Sequence, residues 1–340
     1  MARTAEPFTH FKVTVLAQFR EPWAMDLLPG TPFLAVTEKA GTLKLWAPGK
    51  PAIKVAGLPP VTYGGDGGLG DVKAAPDFAR SGLIYLSWIE EGKGGTRGAV
   101  AGRARLVLDA NPRLEGLSVI WRQNPKVSGH GHYSHRLAFA PDGRHLYISS
   151  GDRRLMTPAQ DRKSGLGKIL RLTIGAVPGK AEMVSMGHRN VLGLKFDAQG
   201  RLWGLEHGPD GGDELNLIKP GANYGWPVVS EGRHYDGRTI PHHSAHPEFA
   251  APAISWNPVI APGDFIFYSG AMWPEWKGQA IIAGLKTQSL VRVGIEGETG
   301  KELARYRLQN RIRDVIQGPD GALWVIEDGP YGRLLRLSRD

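Results

Sequence analysis

The 340-residue chain contains no cysteine. That absence removes disulfides, thiolate metal sites and a cysteine nucleophile together. No apolar run approaches the roughly 18 residues of a membrane span, so no spanning helix is expected. The segment from Met1 to His10 has neither the basic n-region nor the apolar h-region of a signal peptide. Acid is in deficit, 33 Asp and Glu against 42 Lys and Arg, which gives a formal charge of +9. The densest basic groups, Arg153 with Arg154, Arg162 with Lys163 and Arg311 with Arg313, never lengthen into a tract interleaved with stacking aromatics. Nucleic acid is therefore not an expected partner. The glycine-rich run Tyr63 to Val72 lacks the Lys-Ser/Thr of a P-loop and a following helix, so it reads as a connection between sheets.

Glycine and proline are abundant, at 46 and 25 residues, and they fall mostly at strand ends. Hydrophobic content of 41% with 10 Trp, 9 Tyr and 10 Phe is ample for a core. One hairpin grammar recurs: an alternating apolar strand, a Pro-Asp-Gly-like turn, a second strand, then an acid. It is plainest at Ala138 to Asp152 and Val315 to Gly329, with Pro-Asp-Gly at the turn of each. A third copy runs from Leu192 to Glu206, and fainter ones lie at Met25 to Glu38, Val72 to Trp88 and Phe265 to Lys286. Six such units with little helical periodicity predict a radial array of small sheets, an all-β fold in a single domain over 1–340. Spacing is uneven: Gly143 and Gly200 lie 57 apart, Gly278 and Gly321 lie 43 apart. The reading assigns the excess to insertions between blades, where loops commonly carry function.

Chemistry concentrates in two stretches. Ser128 to Arg136 holds His130, His132 and His135. Imidazoles suit zinc, but spacing of i, i+2 and i+5 on a loop is no established ligand pattern. A loop histidine entering a strand that leads to the channel suits a general base, and one hydrogen-bonded to neighbouring loops is the bland alternative. In Gly187 to Pro227, the turn Gly208-Pro209 precedes Asp210-Gly-Gly-Asp-Glu214. Freed carbonyls beside carboxylates are what a hard cation such as calcium wants, although the EF-hand spacing is missing and a solvated acidic turn reads equally well.

Gly187-His-Arg-Asn190, Glu206-His-Gly-Pro209, Gly212-Asp-Glu-Leu-Asn216 and Asn223-Tyr-Gly-Trp-Pro227 stand in this order. They resemble the soluble pyrroloquinoline quinone (PQQ)-dependent sugar dehydrogenases, the glucose/sorbosone and aldose dehydrogenase family. Further likeness at Gly67 to Val72, His132 to Leu137, Gly167 to Arg171, Ala283 to Lys286 and Arg311 to Val315 extends it over roughly residues 20 to 337. The resemblance implies a six-bladed β-propeller with four-stranded antiparallel blades. It implies His132 as the base that takes the C1 hydroxyl proton of an aldose. Arg189, Asn190, Lys286, Arg311 and Arg313 match cofactor contacts, as a planar tricarboxylate requires. The carbonyls of Gly208 and Pro209 match those that hold the cofactor's calcium. Glu214 and the carbonyl of Tyr224 match a second, structural calcium.

Three positions depart from the family. Asp66 stands where the family usually has Gln, Gly70 replaces a Leu, and Gly131 replaces an acid that holds sugar hydroxyls. Asp66 falls among the cofactor contacts, where a carboxylate beside a tricarboxylate must be protonated, turned away or bridged by a cation. The implied partners are an aldose sugar and an external electron acceptor, with a monomer or homodimer as the assembly. A periplasmic or secreted location follows from the family, with a signal peptide expected upstream of Ala2. A calcium-dependent lactonase would not need Lys286, Arg311 and Arg313, and a non-catalytic sugar- or protein-binding propeller would follow if Asp66 and Gly131 abolish cofactor binding.

Overall fold

A computed structural model describes residues 10–175 and 177–339. The first nine residues, which hold most of the segment examined for a signal peptide, lie outside it, as do Ala176 and Asp340. Six four-stranded antiparallel sheets form the blades of a β-propeller. Blade 1 is Pro22–Leu27, Leu34–Glu38, Thr42–Trp46 and Ile53–Lys54; blade 2 is Leu69–Ala74, Leu83–Glu91, Arg97–Val107 and Arg113–Arg122. Blade 3 is Ser134–Phe139, His145–Ser150, Lys168–Thr173 and Glu182–Met186; blade 4 is Val191–Phe196, Leu202–Glu206, Asp213–Leu217 and Ile254–Trp256. Blade 5 is Pro262–Phe267, Ala280–Gly284, Ser289–Glu296 and Thr299–Arg307. Blade 6 takes Ile312–Gln317, Leu323–Glu327 and Gly332–Ser338 from the C-terminal end of the chain and its outer strand, Lys12–Phe19, from the N-terminal end. This shared blade closes the ring and leaves no open edge between first and last sheets.

Each hairpin expected from the sequence is the inner pair of strands of one blade. Burial explains why those strands were legible. The second strands Leu34–Glu38, Leu202–Glu206, Ala280–Gly284 and Leu323–Glu327 are buried at every residue, because neighbouring blades cover both faces. The outer strand Thr299–Arg307 instead alternates between exposed and half-buried residues, with one face in water. The main apolar clusters lie at the contacts between successive blades, as where Trp203 and Leu205 of blade 4 meet Phe265 and Ile282 of blade 5.

The first strands of the blades neighbour one another in a closed circle and line the axis. Carboxylates staple them: Asp314 accepts the Met25 N–H, Asp26 that of Ala74 and Asp71 that of Leu137, at 2.8 to 2.9 Å. The extra chain length lies elsewhere than expected. It falls within blades: residues 151–167 separate the second and third strands of blade 3, and residues 218–253 separate the third and fourth strands of blade 4. The first connection emerges at the end of the ring where the inner strand begins; the second leaves from the opposite end, climbs beside Glu182–Met186 and brings Trp226 to Asp152 there.

Candidate active site

His132 ends the loop that leads into the inner strand of blade 3. Its Nδ1 lies 2.7 Å from Oδ1 of Asp152, which stands just beyond the second strand of the same blade. Asp152 is fully buried and accepts from the Trp226 indole N–H at 2.8 Å and the Arg154 backbone N–H at 2.9 Å. Burial raises the Asp152 pKa, but the contact with His132 outweighs that and holds it below the usual carboxylate range, so it is ionised. Its charge fixes the proton on Nδ1 and leaves Nε2 of His132 as the free lone pair. Burial pushes the His132 imidazole below its ordinary value, and Asp152 only partly restores it. A neutral imidazole with one oriented lone pair is what a proton acceptor near pH 7 requires. The backbone is held in the left-handed region at His132 (φ 47°), Arg153 (φ 57°) and Arg154 (φ 61°), a strain that clusters at sites whose geometry is fixed by their surroundings.

His132 stands at the junction of two cavities. One, of about 250 Å³, is walled by Lys39, Arg154, Arg189, Arg311 and Arg313, with Asn190 and Asp66 beside them. The other, of about 390 Å³, is bounded by His132, Asp152, Arg154, Arg189, Trp226 and Tyr235. Volume alone does not select the site: a 640 Å³ groove beside Tyr85 and Gly143 contains no histidine.

The implied site residues converge unevenly. Arg189 is buried, with its backbone N–H on Glu206 at 2.7 Å and its guanidinium on the His207 carbonyl and the Tyr235 hydroxyl, both at 3.2 Å. Its Nε is buried with no partner among the described residues. Asn190 accepts from the backbone and hydroxyl of Ser134. Arg311 and Arg313 line the cavity while both hold Asp328, at 2.8 to 3.0 Å. Lys286 is exposed on the turn after Ala280–Gly284, next to Leu285, which does line the cavity. Asp66 is bridged by a cation, Arg154, one of the three ways its charge was expected to be tolerated.

The three histidines do not gather. His130 is bound by the Arg97 guanidinium at 2.6 Å, and His135 is buried, stacked 5.0 Å from Trp23 and bound to Ser87 at 2.8 Å. A Cβ at residue 70 would overlap the His135 ring, which accounts for Gly70. Of the carboxylates after Gly208-Pro209, Asp210 pairs with Arg233 and Asp213 accepts the N–H of Gly208 and of Ala261. Only Glu214 is left, facing Glu206 across the strand pair. Burial and then Glu206 push Glu214 well above the usual range. The Asn216 side-chain N–H₂ donates to both, while its Oδ1 is buried without a partner. Glu206, Glu214, Gly208 and Pro209 border a small recess that also meets Tyr224, whose carbonyl accepts from His243 at 3.1 Å. Crowded carboxylates and an orphaned amide oxygen fit a hard cation. Among the described residues no cluster of three His, Cys, Asp or Glu would hold one.

A histidine oriented by a buried carboxylate, opening on a cationic cavity at one end of a six-bladed ring, accompanies a match of residues 19–336 to the glucose/sorbosone dehydrogenase family. The chain belongs to this family. It is 36% identical to the aldose sugar dehydrogenase YliI of Escherichia coli, over 93% of this chain and 90% of that one. A crystal structure of a glucose dehydrogenase superposes with a TM-score of 0.89 at 37% identity, covering 97% and 100% of the two chains. The PQQ-bound form of an aldose sugar dehydrogenase from Streptomyces coelicolor gives 0.75 at 28% identity, covering 98% and 100%. Membership makes this protein an oxidoreductase acting on sugars.

Sequence reasoning missed several residues of the site. Asp152 was visible as the acid that ends a hairpin, without a role. Asp328 ended another. Trp226 lies inside the Asn223 to Pro227 motif, and Arg154 stands out in the sequence only as half of a basic pair with Arg153. His207, half-buried with its Nε2 on the Pro262 carbonyl at 2.7 Å and its pKa pushed down to about 3 mainly by desolvation, also lines the cavity.

Proposed function

We propose that the protein oxidises the C1 hydroxyl of aldose sugars to lactones, in a PQQ- and calcium-dependent reaction that passes electrons to an external acceptor. The observation that carries this is His132, neutral and oriented by Asp152, at the mouth of a cavity lined by Arg189, Arg311 and Arg313. The cationic wall and the orphaned Nε of Arg189 suit a polyanionic planar ligand. Arg189, Asn190, Arg311 and Arg313 would hold the carboxylates of PQQ, with Lys286 reaching in from the rim. The carbonyls of Gly208 and Pro209 would hold its calcium, and Glu214 with the Tyr224 carbonyl a second ion. PQQ so polarised supplies a hydride acceptor. His132 takes the hydroxyl proton on Nε2, and Asp152 stabilises the imidazolium that results. Trp226 keeps Asp152 from turning. A periplasmic or secreted location and a monomer or homodimer belong to the same reading. A water-activating lactonase has no use for so many cations around the cavity.

Dye-coupled oxidation of a panel of aldoses tests the reading. Activity should need both PQQ and calcium and should vanish in excess chelator, because neutral carbonyls cannot hold an anionic cofactor without the ion. Full activity of metal-stripped, PQQ-loaded protein in chelator would contradict it.

A further inference from the structure

Arg154 leaves the backbone at a fixed point. Its own N–H is held by the Asp152 oxygen that also holds His132. From there the side chain crosses residue 131, where a Cβ would overlap the guanidinium, so the path exists only because residue 131 is glycine. It ends with Nη2 donating to Oδ2 of Asp66 at 3.3 Å. The same Oδ2 accepts the His132 backbone N–H at 3.0 Å, and the Asp66 N–H is tied to the His130 carbonyl at 2.8 Å. Residues 66, 131 and 154, from three separate loops, thus form one construction against the base. Oδ1 of Asp66 and the remaining N–H groups of Arg154 have no partner among the described residues, and the two side chains are 46% and 62% exposed. The Asp66 pKa lies below the usual carboxylate range: burial raises it, and the His132 N–H and Arg154 more than offset that. Arg154 lines both of the cavities that meet at His132, whereas Asp66 lines the smaller one.

We propose that Asp66 and Arg154 form the subsite that orients the sugar, binding two neighbouring hydroxyls of a neutral aldose. One hydroxyl donates to Asp66 and the next accepts from Arg154, which matches a free acceptor and free donors a hydrogen-bond length apart. Because the pair is internally neutralised, a sugar acid meets the repulsion of Asp66 and an amino sugar that of Arg154. Gly131 sets this selectivity by leaving room for the guanidinium. The subsite rests on the dehydrogenase reading above.

The experiment compares PQQ- and calcium-loaded parent, Arg154→Ala, Gly131→Ala and Asp66→Asn on an aldose, its deoxy analogue and its uronic acid, with cofactor absorbance recorded for each. Losing a hydrogen bond to a charged group should raise KM of Arg154→Ala for the aldose roughly 10- to 100-fold and erase its preference over the deoxy sugar. Its kcat should stay within about threefold, the pattern of lost ground-state binding. Gly131→Ala should reproduce the effect by displacing the guanidinium, and the double variant should be no worse than Arg154→Ala alone. Asp66→Asn, which uncaps Arg154, should raise the ratio of uronic acid to aldose efficiency by about tenfold or more, the size expected for removing one close charge. A parental KM and parental selectivity in Arg154→Ala, an unchanged ratio in Asp66→Asn, or loss of cofactor in Arg154→Ala overturns the subsite while an active parent upholds the dehydrogenase. A loaded parent that oxidises no sugar defeats both.

Discussion

His132 presents one lone pair to the cavity because Asp152 accepts a hydrogen bond from the proton on its other nitrogen, and Trp226 holds Asp152 in turn. Asp152→Asn keeps the shape and removes the charge. We expect kcat to fall roughly 100-fold with cofactor loading intact, since the wrong tautomer becomes available to the base. Activity in the parent should fail on the acid side, because only neutral imidazole accepts a proton. The midpoint should lie below the ordinary histidine value, since burial lowers His132. Asp152 is the group that opposes this lowering, so its loss should move the midpoint further to acid, as a pH profile of single-turnover rates would record. A merely structural role for Asp152 would leave the midpoint in place. His132 stood out in the sequence because a histidine in a glycine-rich loop before a strand is conspicuous. Asp152 could not, since its role depends on a 20-residue separation closing in space. Arg154 was invisible for a related reason: only the folded path over Gly131 distinguishes it from a solvated arginine.

At the scale of the element, the six inner hairpins were legible because alternation and turn residues are local signals. Third and fourth strands were harder, and the two-residue strand Ile53–Lys54 and the three-residue strand Ile254–Trp256 carry almost no pattern. Residues 218–253, which deliver Trp226 and Tyr235 to the site, hold no repeated grammar from which an element could be read. Trp203 shows how firmly the hairpins are held. It is fully buried in the second strand of blade 4, packs against Phe267 of blade 5 and donates to Asp197 at 2.9 Å. Trp203→Ala should destabilise the protein by about 3 to 5 kcal/mol, through the cavity and the lost hydrogen bond. Thermal or denaturant unfolding would measure this, and a change below about 1 kcal/mol would mean that blades 4 and 5 repack freely.

Across the whole molecule the axis is filled by charge. Arg136 is buried in blade 3, pairs with Asp71 of blade 2 at 3.4 Å and Asp264 of blade 5 at 3.6 Å, and donates to the Leu192 carbonyl of blade 4 at 2.6 Å. Its guanidinium also lies 4.0 Å from the Trp23 ring of blade 1. One side chain therefore touches four other blades. Arg136→Met should cost about 3 to 5 kcal/mol, because it strands buried carboxylates that shared its charge. Unfolding by denaturant would check this, and parental stability would show that Lys73, 3.8 Å from Asp71, and Lys195, 2.6 Å from Asp264, neutralise the axis unaided. The ring so locked holds loops from blades 1 to 6 around one cavity, and the account stands on what happens there. Anaerobic mixing of PQQ- and calcium-loaded protein with an aldose, followed by quinone absorbance in a stopped-flow instrument, measures it directly. The parent should retain its chromophore through gel filtration and lose it on sugar addition, while His132→Ala should stay loaded and react roughly 100- to 10,000-fold more slowly. A parent that holds no chromophore, or a His132→Ala variant that reacts within about twofold of it, well inside the loss expected for a base, would contradict the account.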